Sequence, residues 1–137
     1  MMIEKSQKPI LKIMIGLLIT VILFHISIIA QIIPYNVVWA GKMKTVKEMR
    51  VFETASILIN IFLVFILLIK GRYLKPTFSE KILNGILWLF VFVFVINTIG
   101  NLLAKTLFEK AVFTPLTLIS AILLWIIVRT KYEAINT

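Results

Sequence analysis

Apolar residues along this chain gather into four long runs separated by short basic stretches. They do not show the alternation of a half-buried strand. The runs cover 13–33, 51–69, 82–104 and 111–128, or 21, 19, 23 and 18 residues. The first is uncharged apart from the titratable His25, the second carries Glu53 near its start, and the other two carry no charge. A helix rises ~1.5 Å per residue, so a run of about 20 residues matches the ~30 Å hydrocarbon core of a bilayer. Within the runs, apolar side chains cover nearly the whole helix circumference. Helices apolar all round belong in lipid or in a large core, and 137 residues cannot supply a large core.

Helix starts are marked by a repeated pattern. Thr45 and Glu48, Thr77 and Glu80, and Thr106 and Glu109 all read Thr-x-x-Glu, and each pair precedes an apolar run. In such a box the Thr hydroxyl accepts from a free backbone N–H and the Glu reaches back to another. Pro34 is expected to end or bend the first helix. Pro115 is expected to kink the fourth or to make it start at Thr114, with proline at the first helical position. The first run is too long for the ~7–15-residue apolar stretch of a signal peptide, so it is read as an uncleaved span. The predicted fold is all-α: a polytopic membrane protein built as an antiparallel four-transmembrane-helix bundle. It forms one domain over 1–137 with spans at about 12–33, 50–70, 80–104 and 110–129.

Charge sets the expected orientation. The N-terminal segment, the second loop and the C-terminus hold Lys5, Lys8, Lys12, Lys70, Arg72, Lys75, Lys81, Arg129 and Lys131. The first and third loops hold Lys42, Lys44, Lys47, Arg50, Lys105 and Lys110. The positive-inside rule then puts both termini in the cytoplasm, and the expected location is a bacterial plasma membrane. Tyr35 and Trp39 are placed at the outer interface, and Tyr73, Trp125 and Tyr132 at the inner one, as an aromatic belt.

Polar groups inside spans are costly and therefore informative. With this orientation they collect in the outer half. On helix 1, Gly16, Thr20, Ser27 and Gln31 share a stripe, and His25 lies ~140° from Thr20 at ~100° per residue. Glu53, Ser56 and Asn60 share a face of helix 2, and Asn97 and Asn101 share one on helix 3. Helix 4 adds Thr114, Thr117 and Ser120. Asn84 is the main polar residue of the inner half. Glu53 is read either as an interfacial carboxylate beside Arg50 or Lys47 or as a bundle-facing group able to exchange protons. His25 is read as an imidazole held by a neighbouring helix or as a proton sensor. The segment between Pro34 and Glu53 is expected to lie on the membrane surface and cover the outer half.

Composition narrows the function classes. Apolar residues make up 61% and charged residues 15%, against ~45–50% and ~25% in soluble domains. A soluble enzyme, a disordered tail and a nucleic-acid-binding domain are excluded. The absence of cysteine removes disulfides, thiolate metal sites and thiol redox chemistry, and a single histidine builds no His-rich metal site; no metal or cofactor is expected. The formal charge of +9 fits attraction of basic flanks to anionic membrane lipids, at ~1 kcal/mol per residue. No nucleophile–base pair or phosphate loop marks an enzyme. The leading expectation is a protein that binds or transports a small amphiphilic or cationic ligand in an outer-half pocket lined by Gln31, Glu53, Ser56, Asn60, Asn97 and Asn101. The alternative is an accessory or assembly subunit whose polar stripes bind another membrane protein or a second copy of the chain.

Overall fold

The structure, a computed structural model, describes the backbone of residues 2–75 and 78–130, and the side chains of those residues from Lys8 onward except Ala40. The regular structure of the described residues is helical, without strands. Four helices are long and apolar enough to cross a membrane, over Lys8–Ile29, Val46–Lys70, Glu80–Leu102 and Glu109–Arg129. They belong to α1 (Met2–Ile29), α2 (Val46–Lys70), α3 (Glu80–Leu102) and α4 (Thr114–Arg129), the last entered through a π turn, Glu109–Phe113.

α1 stops four residues before its apolar run does. Gln31 adopts φ 59°, its N–H bonds the Ile28 carbonyl, and the Ile32 N–H bonds the Ser27 carbonyl at 2.9 Å. These two bonds close the helix end around a left-handed residue. Pro34 disfavours helical geometry in Ile33 before it, so the chain leaves the helix ahead of the proline. α2 ends the same way: Arg72 has φ 63°, with its N–H on the Ile69 carbonyl and the Tyr73 N–H on the Leu68 carbonyl.

The helix starts partly follow the Thr-x-x-Glu pattern. Thr45 Oγ1 accepts from the Glu48 N–H at 3.1 Å, and the Glu48 carboxylate takes the Lys44 N–H at 2.8 Å. Thr106 Oγ1 likewise accepts from the Glu109 N–H at 3.3 Å. α3 departs from the expectation: its cap is Ser79, which accepts from the Ile82 N–H at 3.4 Å, and Thr77 lies outside the described residues. The fourth helix does restart at Thr114, with Pro115 in its first turn. The π turn before it absorbs the proline, which has no N–H to donate and whose ring would crowd a regular preceding turn.

α1 packs chiefly on α2 and α3 on α4, α1 also meets α4, and α2 touches α3 only lightly. One large apolar cluster joins Leu11, Met14 and Leu18 of α1, Leu63 and Leu67 of α2, Leu83, Leu87 and Phe90 of α3, and Leu124 and Ile127 of α4. At its edge Gly71 lets α1 come close. A Cβ there would sit 2.2 Å from Leu11 Cδ2, and Leu11 is fully buried. A smaller cluster of Ile28, Val38, Met43 and Met49 lies at the α1–α2 connection. That connection consists of two short 3-10 turns, Tyr35–Val37 and Trp39–Gly41. Val38 and Met43 are both buried and anchor it.

Candidate functional site

Glu53 occupies the inward face of α2, two turns from its start, and no part of it is exposed. Burying a carboxylate without partners is expensive, so its hydrogen bonds decide whether the fold tolerates it. Both oxygens have one. Oε1 accepts the indole N–H of Trp39 at 2.7 Å, and Oε2 pairs with Nδ1 of His25. With Glu53 ionised both of its oxygens can only accept, and His25 Nδ1 is then the donor of this second bond. Bonds to an ionised acceptor stabilise by ~1.5–3 kcal/mol each. Lys47 and Arg50, the cations nearest in sequence, are exposed on α2. Glu53 is thus held by an imidazole and an indole, buried rather than in interfacial water.

The two donors are positioned differently. His25 lies one turn before the end of α1, and its side chain is mostly buried. The Phe24 ring beside it also stacks edgewise on Phe113 at 5.1 Å, which ties the site to the entry of α4. Trp39 comes from the connecting segment. Its backbone has φ 54°, a left-handed conformation that costs a bulky residue ~1–2 kcal/mol and persists where the surroundings enforce it. The ring meets Phe52 at 5.4 Å between centroids and remains 43% exposed. The backbone strain at Trp39 therefore accompanies a single directional bond to a buried carboxylate.

The other polar residues named from sequence fall into three groups. Ser56 and Asn60 continue the Glu53 face of α2 and are half-buried, with Asn60 Nδ2 donating to the Ser56 carbonyl at 2.7 Å. Asn101 is half-buried against α4, where its Nδ2 lies 3.5 Å from Thr117 Oγ1. Thr98 Oγ1 reaches the same hydroxyl at 2.9 Å. Gln31 and Asn97 are exposed, Gln31 as the left-handed residue that closes α1. Asn97 makes no hydrogen bond among the described residues.

Two further groups emerge that the sequence pattern did not single out in these roles. Trp39 was expected only as an interfacial ring, and nothing around it in the sequence signals a left-handed backbone. Glu109 was expected as a cap; it is 3% exposed and accepts the Thr106 hydroxyl at 2.8 Å. Nearby, Thr114 Oγ1 is buried with no partner. Among the described residues, no three His, Asp or Glu side chains come together in a way that would hold a metal ion.

Lys70 ends α2 as another buried charged residue, away from Glu53. Its ammonium donates to Asn84 Oδ1 at 2.8 Å and to Glu80 Oε1 at 3.3 Å. Its place in the sequence makes it a loop cation, but the structure buries it between α2 and α3. What the Glu53 site offers chemically is one buried carboxyl group bonded to an imidazole and an indole, with a polar helix face running away from it. No protein family, curated protein or solved structure matches this chain.

Proposed function

We propose that the chain is an integral protein of the plasma membrane that binds, and in that way can move, a small amphiphilic or cationic ligand. Its four helices cross the bilayer as an antiparallel bundle with both termini in the cytoplasm. The ligand occupies a polar site in the outer half that draws on Gln31, Glu53, Ser56, Asn60, Asn97 and Asn101. The observation that carries this reading is the complete burial of Glu53 with only His25 and Trp39 on its oxygens. A fold stabilised by packing alone has no use for a buried carboxylate, since apolar replacements of buried ionic groups are often neutral or stabilising. In a span, an ionisable group of this kind is by default a functional-site hypothesis.

Asn60→Leu and Asn97→Leu test it. Both variants are expected to keep the helical fold and to lose the rise in melting temperature that a bound amphiphile gives the parent. Reporter fusions at the two termini check the orientation, and an external C-terminus would reverse the inner and outer assignments.

Exposed Asn97 favours a second reading. It sits on α3 beside Ile96 and Gly100, all of them exposed, and an amide facing lipid gains from an interhelical partner, by ~0.6 kcal/mol on average. An accessory role, with another membrane protein or a second copy on this face, predicts that Asn97→Leu abolishes co-purification of that partner and leaves ligand-induced stabilisation intact.

A further inference from the structure

We propose that Trp39 is a gate on Glu53, and that the ligand opens it by presenting an ammonium group that replaces the indole N–H on Oε1 while His25 stays on Oε2. The proposal rests on the ligand reading above and narrows it to amphiphiles with an N–H-bearing cationic head.

Four observations converge on it. The two carboxylate oxygens are divided between donors on different kinds of element. His25 comes from a long helix, whereas Trp39 comes from a three-residue turn, Trp39–Gly41. The turn is bounded by two anchored side chains, Val38 and Met43, so it can move without dismantling the connection. Both of its ends carry positive φ, 54° at Trp39 and 69° at Gly41, and releasing Trp39 relieves strain where the helix beneath gains nothing by moving. Finally, Glu53 is fully buried while Trp39, bonded to it, is 43% exposed, which sets Trp39 between the carboxylate and the molecular surface. An ammonium donates to Oε1 as the indole does and adds a full positive charge, so it competes for that oxygen with the electrostatic advantage. An uncharged alcohol of the same length has no such advantage.

The test uses the full chain in nanodiscs with Trp88→Phe and Trp125→Phe, which leaves Trp39 as the one fluorophore of the three tryptophans. Acrylamide quenching reports its exposure. Octylammonium is expected to raise the quenching constant to the value of the Glu53→Leu variant, and octanol is expected to leave it unchanged. Glu53→Leu is expected to give the raised value without any ligand. Unchanged quenching in Glu53→Leu, with helix content retained, overturns the gate. A rise in melting temperature with octylammonium at unchanged Trp39 quenching also overturns it, while leaving ligand binding in place. No rise in melting temperature with octylammonium overturns the ligand reading, and the gate falls with it. Should Glu53→Leu not fold, Trp39→Phe decides: removing the competing donor is expected to tighten octylammonium binding severalfold, and equal or weaker binding overturns the proposal.

Discussion

Trp39 donates its indole N–H to Glu53 Oε1 across 2.7 Å from a left-handed backbone, 14 positions along the chain from its acceptor. The bond and the strain act in opposite directions on stability. Removing the side chain costs the bond and leaves one oxygen of a buried carboxylate without a donor, and a glycine at the same position removes the strain as well. Trp39→Ala and Trp39→Gly are therefore both expected to be destabilised. The glycine variant should retain about 1 kcal/mol more, because left-handed geometry is free for glycine and strained for alanine. Thermal unfolding in detergent micelles measures the difference. Equal stability of the two variants would show that Trp39 carries no backbone strain.

His25 and Glu53 are coupled by the same logic. His25→Ala leaves Oε2 buried and unpaired, at a cost of ~1–3 kcal/mol. Once Glu53 is leucine, the histidine has no acceptor to serve and its removal costs less. A double-mutant cycle of His25→Ala with Glu53→Leu is expected to give a coupling of ~0.5–3 kcal/mol, the range for residues in direct contact. Additive costs would mean that the pair forms without energetic consequence.

Much of this architecture is written in residue patterns. Four apolar runs of helical length leave one secondary structure, and Thr45 and Thr106 cap helices because a hydroxyl ahead of a glutamate does so wherever a helix begins. The end of α1 was not legible. Apolar residues continue through Ile33, and the left-handed turn at Gln31 is set by the geometry of the connection rather than by residue type. The His25–Glu53 pair was half legible. Each is the ionisable residue of its apolar run, and they lie at comparable distances from the connecting segment, so a hairpin brings them to one depth. A single-helix wheel says nothing of which face meets the next helix, however, and so His25 was set apart from the polar stripe. Trp39 on Glu53 has no local signature, since it depends on a turn between two anchors.

Gly71 is the glycine whose hydrogen faces an occupied site. Its backbone φ of −78° suits any residue, so conformational freedom is not the reason for glycine here. The reason is space: Leu11 Cδ2 lies where a Cβ would come within 2.2 Å. Leu11 is the end of a flexible side chain, but it is fully buried in the main apolar cluster and can only move by displacing its neighbours. Gly71→Ala is expected to lower stability by ~1–3 kcal/mol, as overpacking does. Gly71→Ala combined with Leu11→Ala should be less destabilised than the two costs summed. Circular dichroism melts of the four proteins decide it, and a neutral Gly71→Ala would place Leu11 elsewhere.

Lys70 shows how the opposite end of the molecule handles a buried charge. Its ammonium sits between Asn84 Oδ1 at 2.8 Å and Glu80 Oε1 at 3.3 Å. Glu80 is itself partly exposed at 43%, so the amide is the shorter and better shielded of the two contacts. Asn84→Leu keeps the side-chain volume and removes that acceptor, leaving the ammonium buried beside apolar atoms with one longer contact. The expected loss is ~1–3 kcal/mol, the cost of an unsatisfied buried polar group, with charge pushing it toward the upper end. Lys70→Met keeps the apolar stem and removes the charge that needs solvating, and exchange of a buried ionic group for an apolar one is often close to neutral. Lys70→Met is therefore expected to be milder than Asn84→Leu, and the double variant milder than Asn84→Leu alone, because leucine and methionine then pack without a stranded charge. If the double variant is instead the least stable of the three, the Lys70–Asn84 contact is a fastening between α2 and α3 rather than a means of tolerating the lysine.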